Sequence, residues 1–431
     1  MRIIHKLGER ILQGEGNAGF LLSNKKGGYL SLNSLRSNIS AYQGWFNSIN
    51  KEMYKLIENI SLDKEPDSLK NHFSFFERHS LKSIERFHVF NGTFVYEVEN
   101  YDGQCSVVFD VRKIYDFSDK GRIYKIYRKD RHVIIEYAKF ADDNLSVPFY
   151  KIFIAVSGIE DFENPDKWLR REYSYDRQRN SKSEFYVYHG LKFSIKDNAR
   201  IFFSFSDSVE DAVKKTEFAE ANFEFMRNSL KNYAEKILFK EKLGYNAAIK
   251  CLDDLTIFEK NNNDAFGIYA GFPWFFQFWA RDELISLGAY IVLENYDFVK
   301  KVLYKYLGSI LSSGRIPNRV PSSELGSADA IGWLAKRFND FIIALDNKGI
   351  LHSTFSNEEL EHVYERIERA IIDLKKNSEK DGLIWNAAKE TWIDTDFGGD
   401  TREGACIEIQ ALQLSMYSFI ALLGRILKKK E

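Results

Sequence analysis

The chain has 431 residues, with 61 Lys and Arg against 62 Asp and Glu for a formal net charge of −1. That length supports two or more domains, each with its own core. So even a balance gives no global field for nucleic acid or an anionic membrane, and it favours a neutral substrate over a charged one. The 35 Phe, 23 Tyr and 7 Trp beside 29% charged residues suit a well-packed globular protein with a solvated surface. The abundance of charge with few Cys and Met is compatible with a thermophile.

Three scattered cysteines, Cys105, Cys251 and Cys406, have no paired spacing for metal or redox work. They read as buried thiols in a reducing compartment, and no cofactor is called for. The start, Met1-Arg2-Ile3-Ile4-His5-Lys6, has no apolar run followed by small residues, and no later run is apolar for as long as ~18 residues. The expectation is a cytoplasmic protein without a membrane segment.

From Gly19 to about Ser206 the pattern is period-two alternation broken by turn residues, as antiparallel strands require. His88-Val89-Phe90, Asn91-Gly92 and Thr93 to Val98 read as a tight hairpin, since Asn-Gly accepts positive φ angles. Further strands follow at Cys105–Arg112, Arg122–Arg128, His132–Phe140, Phe149–Val156, Glu184–Tyr188 and Arg200–Phe205. So many strands without helices between them predict a two-sheet sandwich. The exception is Asn50–Ser61, where Met53, Leu56 and Ile57 suggest a short helix or a long inserted loop. Trp45 and Trp168 read as core.

Near Asp207 the period changes. Phe218, Ala221, Phe225, Leu230, Tyr233, Ile237 and Leu238 recur at helical spacing, so Ser208–Lys240 reads as one amphipathic helix with a Ser/Asp cap. Six helices follow, near Tyr245–Glu259, Asp282–Asn295, Asp297–Ser312, Ala328–Leu345, Asn357–Asn377 and Glu403–Lys429. The expected class is therefore a multi-domain β + α chain: an N-terminal antiparallel β-sandwich (1–206), a helical linker (207–241) and a domain of helical hairpins (242–431) with functional loops gathered at one end.

Three stretches carry more than packing. Tyr269-Ala-Gly-Phe-Pro-Trp-Phe-Phe-Gln-Phe-Trp-Ala-Arg-Asp-Glu283 sets large aromatics and an Arg-Asp pair ahead of an apolar helix. The faces of Trp274 and Trp279 suit the C–H faces of sugar rings, and Arg281 and Asp282 suit hydroxyls; equally, the aromatics fill a core and Arg281–Asp282 is a neutral pair. The second runs Gly314-Arg315-Ile316-Pro317-Asn318-Arg319 and on to Ser327-Ala328-Asp329-Ala330, entering a helix with Trp333. The third is Asp381-Gly382-Leu383-Ile384-Trp385-Asn386, Glu390-Thr391-Trp392-Ile393-Asp394-Thr395-Asp396 and Arg402-Glu403-Gly404-Ala405-Cys406-Ile407-Glu408-Ile409-Gln410-Ala411-Leu412.

These stretches resemble, in order, the motifs of archaeal and bacterial glycogen debranching enzymes of the amylo-α-1,6-glucosidase type, in the glucoamylase-like superfamily: Gly-Tyr-Pro-Trp-Phe into Trp-Gly-Arg-Asp, Gly-Leu-Ile-Pro-Asn-Arg, Ala-Asp-Ala-x-x-Trp, Thr-Trp-Met-Asp and Val-Glu-Ile-x-Ala-Leu. More loosely, Ala41-Tyr42-Gln43-Gly44 and Trp168 to Tyr173 resemble its N-terminal β-sandwich. The family's Asn-Thr-Arg there is replaced by Ser37-Asn38-Ile39-Ser40.

The resemblance implies an inverting glycoside hydrolase that releases glucose from α-1,6 branch stubs of an α-glucan such as glycogen, limit dextrin or maltooligosaccharides. One carboxylic acid protonates the leaving oxygen and a carboxylate roughly 6.5–9.5 Å away activates water. It puts the acid at Asp394, with Trp392 and nearby aromatics raising its pKa by desolvation; Asp396 competes, and a turn-forming role is the plain alternative. Arg281, Asp282, Asn318, Arg319, Trp274, Trp279 and Trp392 are expected to bind substrate. Asp329 either joins them or only favours the helix dipole. Glu408, among apolar neighbours, either points into a polar cleft or meets Arg402.

The resemblance further implies an (α/α)6-type toroid of twelve helices, of which about the first half is present, and a general base matched by no residue after Glu408. A fragment completed by a second chain, a self-associating half in a homo-oligomer, or a relative using Glu403 or Glu408 would each account for that. The competing reading is a catalytically silent α-glucan-binding protein; other exo-α-glucosidases of the same fold stay open.

Overall fold

The computed structural model describes residues 2–6, 19–33, 37–50, 52–141, 144–238, 243–258, 266–320, 326–394, 399 and 401–429. Its contacts divide the chain into two compact units, Met1–Leu255 and Thr256–Glu431.

The first unit is an antiparallel sandwich of a nine-stranded and a seven-stranded sheet. Its core interleaves Leu32, Trp45, Leu56, Ile60, Val107 and Phe109 of one sheet with Phe76, Phe87, Phe94, Ile135, Ile154 and Phe203 of the other. Large aromatics dominate here because each buries much apolar surface, roughly 2 kcal/mol per side chain. The Asn91-Gly92 hairpin forms as expected, with Phe90 opposite Thr93.

From residue 52 onward the segment expected as helix or loop is neither. Glu52–Leu62 is a central strand, paired with Gly44–Ile49 and Gly103–Lys113. It is buried on both faces, so alternation is lost: Leu56 and Ile60 enter the core, while Lys55 and Glu58 are buried among charges, with Lys55 3.2 Å from Asp110. Trp168 is not core either. It sits on the edge strand Lys167–Glu172, 40% exposed, with the Arg122 guanidinium 5.0 Å from its ring centroid. Of the cysteines only Cys105 is buried; Cys251 is exposed.

The helices of the first unit are α1 (Ser174–Gln178), α2 (Val209–Ile237) and α3 (Leu243–Leu255). Ser208 caps α2, its Oγ accepting from the Asp211 N–H at 3.3 Å. The helix expected to link two domains lies on the nine-stranded sheet, where Ala219 and Phe223 pack with Phe90, Val95 and Phe202. The period of its apolar stripe was legible but its phase was not: Ala212, Thr216, Ala219 and Phe223 face in, while Phe218 and Phe225 are exposed.

The second unit opens with a small hairpin, Thr256–Phe258 against Phe266–Ile268. Its helices are α4 (Ala280–Val292), α5 (Tyr296–Gly308), α6 (Ala330–Asn347), α7 (Leu351–Thr354), α8 (Asn357–Ser378) and α9 (Ile407–Ile426). A capping box starts α8, Ser356 and Glu359 satisfying each other's backbone N–H. Leu284, Val302, Phe338, Val363 and Phe419, one from each of the five long helices, are all fully buried. Against the expectation of no long apolar run, α9 is by length and composition alone apolar enough to cross a membrane. It packs on α6 and α8 through Met416, Phe419 and Leu423.

Candidate active site

The aromatic stretch is a loop that delivers α4. Its backbone is stitched to the 314–320 loop: Ala280 N–H donates to Asn318 O at 2.9 Å, and Val320 N–H donates to Phe278 O at 3.2 Å. The Arg319 guanidinium lies 5.3 Å from the Trp279 ring centroid. Phe276 and Phe278 are core, Phe275 is exposed, and Trp274 and Trp279 are half-buried. Asn318 is buried, and its Oδ1 has no donor.

Below this loop, Glu283 is fully buried on the inner face of α4. It accepts from Lys305 Nζ at 2.7 Å, from the Tyr306 hydroxyl and from Ile268 N–H at 3.0 Å. Burial pushes the Glu283 carboxyl up and the Lys305 ammonium down, each working against its partner's charge. This cluster ties the first turn of α4, and so Arg281 and Asp282, to the hairpin and to α5.

Arg281 and Asp282 are not an ion pair with each other. Arg281 Nε and Nη2 both donate to Asp329, and Nη2 also donates to Thr391 O at 2.5 Å. Asp329, the N-cap residue of α6, makes no capping bond with its side chain; its Oδ1 accepts from Ser327 Oγ at 2.8 Å. One guanidinium thereby joins all three stretches singled out in the sequence. A planar fork is the group suited to this, since it donates in fixed directions to a carboxylate and a carbonyl at once.

Asp282 takes no part in that brace. Burial raises its pKa above the ordinary aspartate value, the Arg281 charge opposes the rise, and Asp329 and Asp394 add to it. Asp282, Asp329 and Asp394 therefore share one electrostatic neighbourhood. Trp392, expected to desolvate Asp394, is 60% exposed and removes little water from its neighbour. It instead lies 5.8 Å from the Arg402 guanidinium, whose Nη2 donates to both carboxylate oxygens of Glu408 at 2.6 Å. Asp396 lies outside the described residues.

Residues 250–431 match the family Amylo-alpha-1,6-glucosidase. The match covers the helical unit and less than half of the chain. The whole chain is also similar in fold to a bacterial glucoamylase solved with acarbose, at 11% identity and a TM-score of 0.49, covering 98% of this chain and 71% of that one. A second similar structure is an inverting mannosidase from Bacteroides thetaiotaomicron, at 10% identity and a TM-score of 0.36, covering 85% of this chain and 52% of that one. No curated protein sequence matches the chain.

Within the matched region, residues outside the motifs hold the third stretch. Arg315 binds the Glu390 carboxylate through Nη1 and donates from Nη2 to Trp385 O at 2.8 Å and to Ser378 Oγ at 3.2 Å. Glu390 also accepts from Ala387 N–H at 2.7 Å, and its carbonyl accepts from Ala328 N–H at 2.8 Å. Thr391 is fully buried. The segment leading to Asp394 thus hangs between two arginines, Arg281 and Arg315. The sequence signal was there, an isolated Glu in a polar turn and an Arg beside Gly314, but a pairing across 75 residues leaves no local pattern.

Proposed function

We propose that the protein hydrolyses the α-1,6-linked glucosyl stub of a branched α-glucan with inversion, Asp394 serving as the general acid. What supports this reading is the brace that Arg281 makes between Asp329 and the Thr391 carbonyl, which gathers Asp282 and Asp394 around one place. In that reading Asp394 gives its proton to the glycosidic oxygen as the bond to the anomeric carbon breaks, and water attacks the opposite face of the ring. A carboxylate about 6.5–9.5 Å from the acid takes the water's proton; the proposal assigns that role to no residue among 1–431. Asp282, half-buried with its affinity for protons raised, exchanges hydrogen bonds with sugar hydroxyls in either protonation state. Trp279, flanked by Arg319, supplies a ring face. The same reading takes the helical hairpins as part of an (α/α)6-type toroid.

The test is glucose release from branched limit dextrin by the purified chain and by Asp394→Asn. Loss of the acid is expected to slow turnover by roughly 10²-fold or more. Folded protein that releases no glucose, either alone or with a second chain that supplies the base, sinks the hydrolase reading, and maltooligosaccharide binding that persists in such protein favours the silent binder.

A further inference from the structure

A pocket of about 540 Å³ opens in the helical unit between the 311–317 loop, the end of α8 and the segment 385–390. Its size is that of a small-ligand site. Of the residues expected to carry chemistry only Glu403, an alternative base, lines it, and it borders the segment that Arg281 and Arg315 hold.

Its walls are specific. Four charged residues line it, Arg315 and Lys380 against Glu390 and Glu403, so the signs cancel. Arg315 and Glu390 already neutralise each other. An anion or cation would have to compete with a fixed opposite partner, whereas a neutral polyol meets donors and acceptors of both kinds. Trp385 is 38% exposed, its backbone fixed by its N–H to Ser378 O at 2.8 Å and its carbonyl to Arg315, with Lys380 Nζ 4.7 Å from its ring centroid.

The second observation is Asn386. It is 3% exposed and lines the pocket; its Nδ2 donates to Ala387 O at 2.9 Å and to Arg402 O at 2.6 Å, but its Oδ1 has no donor. With the amide nitrogen held on two carbonyls, the oxygen cannot turn away. A buried acceptor left without a donor costs roughly 1–3 kcal/mol, which a ligand hydroxyl recovers.

We propose that this pocket is a second sugar subsite, taking a neutral glucosyl unit of the α-glucan chain on the Trp385 ring with a sugar hydroxyl donating to Asn386 Oδ1. The identity of the sugar rests on the glycosidase reading above; the pocket's preference for a neutral polyol does not. Anchoring a chain here, on the segment that leads to Asp394, sets the length of glucan that the site accepts.

Calorimetric titration of maltotetraose into the full chain carrying Asp394→Asn, which prevents turnover, tests it. Adding Trp385→Ala is expected to weaken binding roughly tenfold. Ala387→Trp, at an exposed position on the rim, fills the pocket without removing a core group and is expected to do the same. If both variants melt as the parent does and bind maltotetraose as tightly, or if the parent binds none at millimolar sugar, the subsite is overturned. Failure of the unsubstituted chain to release glucose, alone and with a second chain that supplies the base, while maltotetraose binding is still lost in both variants, sinks the hydrolase reading and leaves the subsite standing.

Discussion

Arg281 passes over the adjacent Asp282 and binds Asp329, 48 residues further along the chain. The consequence is a division of labour between neighbours: one aspartate is consumed in holding loops together, and the other stays available in the same field. The Arg281 and Asp329 side chains are 12% and 4% exposed, so the pair is far less screened than a surface bridge.

Breaking that pair from either side leaves a half-buried charge without its partner, which is costlier than losing the attraction itself. Asp329→Ala is expected to destabilise the chain by about 3 kcal/mol, read from urea unfolding. Arg281→Ala should cost a similar amount, and the double variant much less than the sum, with a coupling of about 2 kcal/mol. Additivity of the two single effects would mean that the brace carries no energy.

Asp282 gives a pH signature. Its folded-state pKa is raised, chiefly by burial, so between the ordinary aspartate value of about 3.9 and the raised one the native state holds more protons than the unfolded state. Stability then falls as pH climbs through that window, and the penalty is fully present above it. Asp282→Asn removes the titration. Its melting temperature relative to the parent should therefore rise on going from pH 3.5 to pH 7, whatever the offset at low pH. A difference that is flat with pH would show that Asp282 ionises in the fold as freely as in water.

Much of this was legible in the residues. The strand alternation and the six helical segments mark out a sandwich followed by helices, and the aromatic, Asn318–Arg319 and Thr391–Asp394 stretches are brought together as their order suggested. What the sequence hid was pairing. Nothing local distinguishes Arg281 bound to Asp282 from Arg281 bound to Asp329, because the choice is made by where the N-terminus of α6 lands. The misreading of Glu52–Leu62 has the same root: Leu56 and Ile57 are adjacent and both belong to the sandwich core, which strict alternation forbids, and the register with both neighbouring strands shifts beside Ile57. Trp168 failed in the opposite direction, an aromatic placed on a sheet edge with a guanidinium beside its ring.

The buried Glu283–Lys305 pair behaves as a unit. Glu283→Ala strands an ammonium in a site with almost no solvent, and about 3 to 5 kcal/mol of stability should go with it. Replacing both partners with apolar residues of similar size, as Glu283→Leu with Lys305→Met, should restore most of that loss, since neither desolvation penalty is then incurred. Guanidinium chloride unfolding of the parent and the two variants decides it. A double variant no better than Glu283→Ala would mean that the Tyr306 hydroxyl and Ile268 N–H bonds, rather than the charge pair, set the stability of this end of α4.

Gly314 fixes how closely the loop bearing Arg315 approaches α8. Its φ is +82°, and a Cβ there would lie 2.4 Å from Ala370 O and 2.8 Å from Leu374 N, both backbone atoms of the helix. Neither can swing aside, so the loop must move. Gly349 supplies the control: its φ of +69° is as unfavourable to a side chain, but nothing stands within 4 Å of its Cβ position. Gly349→Ala should cost about 1 to 2 kcal/mol, the strain of a left-handed residue alone. Gly314→Ala should cost clearly more than Gly349→Ala, the excess being the steric term. Because the displaced loop carries Arg315 away from Glu390 and Trp385, Gly314→Ala should also weaken maltotetraose binding, while Gly349→Ala leaves it unchanged. Equal thermal penalties with equal binding in the two variants would separate the loop's approach to α8 from the segment that leads to Asp394.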